Sequence, residues 1–129
     1  MSKTQEIINN LQFAHSYWLN ELSHAEVELT IMANRLDLLE ASSTVPKAPS
    51  TSEAIALEIE QLQLAAQFIK KTVMAHVSKI YNLAKANGQL EVISNAIHDE
   101  TKERLAQFRT HFQEVRQKFY ALIPIEDQI

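Results

Sequence analysis

"IALEIEQLQLAAQFIKKTVMAHVSKI", residues 55–80, decides what the chain can fold into. Its inward candidates are Ile55, Ile59, Leu62, Ala66, Ile69, Val73, His76 and Ile80, separated by alternating steps of four and three. A strand would repeat every second residue. Steps of three and four instead draw one stripe along an α-helix, the seam of a left-handed coiled coil. Only His76 interrupts the apolar character of this stripe.

The same spacing runs upstream through Ile8, Leu11, His15, Trp18, Leu22, Ala25, Leu29, Met32, Leu36 and Leu39, again with one histidine as the exception. Downstream it reads Leu90, Ile93, Ile97, Thr101, Leu105, Phe108, Phe112, Val115, Phe119 and Leu122. After Ile97 come two further steps of four, through Thr101 to Leu105, and the extra step is a stutter, which locally unwinds a supercoil.

Two breaks separate the three segments. "ASSTVPKAPSTS", residues 41–52, carries Pro46, Pro49 and a run of hydroxyl residues that neither continue a helix nor pack a core. "KANGQL", residues 85–90, offers Gly88 for the left-handed residue that closes a helix. Ser2 with Gln5, and Ser50 with Glu53, have the spacing of a capping box at a helix start. The expectation is an all-α domain over residues 1–129, with helices about 3–40, 52–87 and 89–122. They would form an elongated up-down-up three-helix bundle with coiled-coil-like packing.

Composition agrees and removes several classes of function. One glycine and three prolines in 129 residues leave little for the turns of a many-stranded sheet or for a phosphate-cradling loop. There is no cysteine, hence no disulfide framework, thiolate metal site or cysteine nucleophile. No stretch approaches the roughly 20 apolar residues that cross a bilayer, and no basic segment leads into an apolar run at the N-terminus, so a cytoplasmic protein without a membrane partner is expected. Net charge is −4, and the short basic groups (Lys70 and Lys71; Arg104, Arg109, Arg116 and Lys118) read as solvated helix faces, not as a nucleic-acid footprint. Neither a Ser/His/Asp set nor a Walker loop is present, and no catalytic residue or cofactor is assigned.

The histidines are the most informative polar residues. If the first two helices fold back on each other, His15 falls about 3 Å along the axis from the level of His76. The second hairpin sets His76 against Thr101, with His98 one turn away. His15, His76, His98 and Thr101 are thus expected to converge from three helices, with Asp99 and Glu100 nearby in sequence. The simplest reading is a polar layer that sets helix register; the alternative is a metal- or small-ligand-binding bundle built on these core histidines. Two adjacent buried imidazoles also resist being protonated together, which makes the bundle a candidate for pH sensitivity. Glu21 and His24 match the Glu-x-x-His step of ferritin-like di-iron bundles, but that step occurs once where two are needed, so no metal is assigned. His111, beside Phe108 and Phe112, reads as a boundary residue.

A second apolar stripe follows the first helix on the side away from its seam: Phe13, Tyr17, Val27, Ile31 and Leu38, with His24 among them. Leu57, Leu64 and Phe68 lie off the seam of the second helix. A helix apolar on two faces has two partners. The expected partner is a second copy, giving a dimer through helices 1 and 2, or another helical protein.

The opening pattern H-x-x-W-L-x-E-L (His15, Trp18, Leu19, Glu21, Leu22) resembles that of small uncharacterised bacterial helical-bundle proteins, a likeness that brings no activity with it. In plan the chain also resembles a spectrin-type three-helix repeat with an early tryptophan. The function these readings imply is a non-enzymatic protein-protein interaction or scaffold module.

Overall fold

The computed structural model describes three α-helices, α1 (Lys3–Ser42), α2 (Pro49–Ala84) and α3 (Leu90–Leu122). Residues 1–2, 43–48, 85–89 and 123–129 lie outside the described residues, and with them the Gly88 turn, most of the first break and the Ser2 cap. The side chains of Ile80, Leu83, Leu90, Ile93 and Ile97 are likewise outside.

The seam is the core. Every buried residue among those described is a seam position, from Leu11 to Leu36 on α1, Ile55 to His76 on α2 and Thr101 to Phe119 on α3. Ile8, Leu39 and Leu122 at the seam ends are half-buried. The reason is geometric: with 3.6 residues per turn, steps of three and four keep one face inward over many turns.

Residues flanking the seam show how the helices run. Glu21 meets Arg109 and Glu28 meets Arg116, so numbers rise together on α1 and α3 and these two are parallel. Ser52 donates to Glu40, and Lys70 reaches Glu26 at 2.8 Å, so α2 runs against α1. Glu58 takes Lys118 at 3.3 Å while Phe68 lies under Arg104, so α2 also runs against α3. The topology is up-down-up, and α1 and α3 approach each other less closely than either approaches α2.

Two details depart from expectation. α2 begins at Pro49, so Ser50 falls inside its first turn and not before it. A proline is well placed there, because its fixed φ suits a helix and its missing N–H is one that a first turn leaves unpaired anyway. The basic residues read as solvated faces also prove to be ties between helices: Lys70, Arg109, Arg116 and Lys118 each pair with an acid of another helix. Thr30, Thr72 and Thr110, poor helix formers by propensity, each donate a hydroxyl to the carbonyl four residues earlier and are satisfied without a tertiary partner.

Candidate functional site: a buried imidazole layer and an open groove

His15 from α1 and His76 from α2 are each only 3% exposed, and Thr101 from α3 is 1% exposed. The ring centroids of His15 and His76 lie 5.0 Å apart, edge to face. His98, half-buried, places its ring 6.4 Å from that of His15 and stacks on Trp18 at 4.8 Å. The rings of His15, His76 and His98 thus come together, one from each helix, and Thr101 is buried on the same helix as His98.

The stutter explains His98. Counted backward from Phe119 through Phe112, Phe108, Leu105 and Thr101, the next step of three lands on His98. This brings its ring over Trp18, while Thr101 three residues on is buried.

The layer is chemically unusual because its nitrogens are unmatched. His15 Nε2, both nitrogens of His76 and His98 Nδ1 are buried with no hydrogen-bond partner among the described residues. A neutral imidazole still carries one N–H, so His76 buries a donor and an acceptor without either being satisfied. Burial, then the charges that His76 and His98 would carry, lower the pKa of His15 to about 4. Burial likewise lowers that of His76, with His98 and Lys79 adding repulsion. Both are neutral at pH 7.

Among the described residues no three His, Asp or Glu side chains are placed to hold a metal ion. Asp99 and Glu100 are exposed, Glu100 paired with Arg104 at 3.2 Å. His111 approaches Glu58 at 3.6 Å, at the boundary of the α2–α3 contact.

A separate groove of about 620 Å³ runs between the parallel helices α1 and α3. Its floor is Ala25, Phe108 and Phe112, and Tyr17 and His24 form its α1 rim. Two ion pairs cross it. Arg109 donates to both carboxylate oxygens of Glu21 at 2.6 Å, and Arg116 does the same to Glu28, its Nε at 3.1 Å from Oε1. Arg116 also lies 4.8 Å from the Phe112 ring centroid, within cation–π reach. The hydrogen bond to Glu21 raises the pKa of Arg109, and that to Glu28 raises the pKa of Arg116. Sequence reading missed these pairs, although the repeat of seven in both partners signals them: Glu21 and Glu28 on one helix, Arg109 and Arg116 on the other.

The second stripe is on the surface. Phe13, Tyr17, Val27, Ile31 and Leu38 on α1, and Leu57, Leu64, Phe68 and Met74 on α2, are all more than half exposed. The α1 stripe flanks the groove at Tyr17, Leu64 lines a shallow depression against Glu26 and Thr30 of α1, and Phe68 lies under Arg104 of α3.

The molecule thus belongs to the class of all-α three-helix bundles, with a polar layer inside and an apolar stripe outside. No protein family matches the chain, and neither a curated protein nor a solved structure is significantly similar to it.

Proposed function

We propose that the chain is a non-enzymatic protein-protein interaction or scaffold module that self-associates through α1 and α2. The observation that carries this reading is the outer face of α1. Phe13, Tyr17, Asn20, His24, Val27, Ile31, Asn34 and Leu38 repeat the steps of four and three that mark the inner seam, yet all are exposed. A helix with two such seams is built for two helical neighbours. The bundle occupies the inner one, and a coiled-coil-like contact with a second copy fits the outer one. The α2 residues Leu57 and Leu64 extend the apolar surface beside it. An isologous dimer is the economical arrangement, because one patch then serves both partners.

Sedimentation equilibrium at micromolar concentration tests the reading. The expected mass is twice the 14.7 kDa of the chain. Ile31→Glu with Leu38→Glu should return the monomer without lowering its melting temperature by more than a few degrees, since both side chains are exposed. A wild-type monomer across that range would remove self-association and leave a different helical protein as the partner.

A further inference from the structure

The outer seam of α1 has the same polar and apolar order from either end. Phe13 and Tyr17 lie as far before Leu22 as Ile31 and Val27 lie after it. The polar positions obey the same mirror: Asn20 answers His24, and Asn10, one step before Phe13, answers Asn34. All of them are exposed, whereas Leu22 itself is buried in the core. Leu22 is also the middle of α1, and the mirror ends at Leu38, whose counterpart is Glu6 in the first turn.

We propose that the outer seam takes the α1 of a second copy antiparallel to itself, with the twofold axis crossing between the two helices at the level of Leu22. This rests on the self-association proposed above and adds its orientation and register.

An axis across the helices sets each residue against the mirror position of the other chain. Phe13 then meets Ile31 of the second copy and Tyr17 meets Val27, so apolar side chains cover one another. Asn20 meets His24, where a side-chain amide and a neutral imidazole each offer a donor and an acceptor. The register decides this. Sliding the helices until Phe13 reaches Leu38 would set Asn20 against Ile31 and His24 against Val27, which buries amide and ring beside groups that cannot pair with them. A parallel in-register pair would match any sequence with itself and needs no mirror, whereas an axis across the helix demands one.

The flanks of the seam agree. On the α3 side the residues nearest the axis are the two copies of Glu21. Each is already held by two nitrogens of Arg109, so two ion pairs face each other and not two bare carboxylates. On the α2 side they are the two copies of Ser23, one heptad before the Thr30 that borders Leu64. These are small and uncharged, and they let the helices approach.

The chain has no cysteine, so one introduced cysteine places a single spin label on each copy. Double electron-electron resonance on Ser23→Cys and on Asp37→Cys, both exposed and on one edge of the seam, reads the orientation. In the antiparallel dimer the two labelled sites should lie about 3 Å apart along the axis at position 23 and about 45 Å apart at position 37. A dimer with the same short distance at both positions would overturn the orientation and leave self-association standing. A wild-type chain that stays monomeric would remove both. Should a label prevent association, the dissociation constants of Phe13→Ala, Ile31→Ala and the double variant take its place. Contact across the axis should make the double loss smaller than the product of the single losses by about 3-fold or more. In a parallel dimer the two positions stand about 27 Å apart along the axis, and losses that simply multiply would overturn the antiparallel register.

Discussion

His76 buries an N–H that donates to nothing among the described residues, and a donor left so costs about 1–3 kcal/mol. Replacing it with an apolar residue of similar bulk removes both the donor and the lone pair. His76→Leu should therefore raise the melting temperature at pH 7.5 or leave it unchanged, the opposite of what truncation of a packed residue does. Differential scanning calorimetry decides it, and a fall of several degrees would mean that the ring has a partner that keeps it in place. The same residue scale governs pH. Because His15 is harder to protonate folded than unfolded, the unfolded chain binds the proton first as pH falls. Stability is complete above about 6.5 and declines toward 4, with about 2 kcal/mol lost at pH 5 from His15 and His76 acting in the same direction. For a chain of this size the melting temperature should drop on the order of 5–10 °C between pH 7.5 and 5. A flat profile would show that the rings are solvated.

On α1, two residues two positions apart sit on opposite faces. Leu29 is fully buried and Ile31 is 58% exposed, so Leu29→Ala should cost about 3 kcal/mol of folding stability. Ile31→Ala should cost less than about 0.5 kcal/mol in the monomer. Urea denaturation of the two variants at one protein concentration measures the contrast; equal losses would place Ile31 inside an interface at that concentration. The ties between elements are weaker. Arg109→Glu alone should lose about 1 kcal/mol or less, and Glu21→Arg/Arg109→Glu should recover most of it, with the difference shrinking in high salt. Much of this was legible in the sequence. The buried face of each helix followed from spacing alone, because a period near 3.6 leaves one solution for Leu22, Leu29, Ile59 or Phe112. The His15–His76 level followed from antiparallel return, since axial position depends only on counting residues from the turn. Less legible were His98 on Trp18 and the Arg109 and Arg116 pairs. These depend on how far each helix is rotated about its axis, and at the stutter two registers compete.

At the scale of the molecule, three helices side by side make a rod. α1 alone, at 40 residues and 1.5 Å per residue, spans about 60 Å. The outer seam runs along most of that length, from Phe13 to Leu38, so a partner using it must lie alongside. A dimer formed this way doubles the mass and thickens the rod but scarcely lengthens it. Joining copies end to end, by contrast, would nearly double the length. Small-angle X-ray scattering should therefore give a maximum dimension of about 60–80 Å for both the wild-type dimer and the Ile31→Glu/Leu38→Glu monomer, with only the cross-sectional radius falling in the variant. A dimer close to 120 Å long would place the contact at the ends of the bundle, beside the imidazole layer or at the Glu40–Ser52 end, and would take the outer seam of α1 out of the interface.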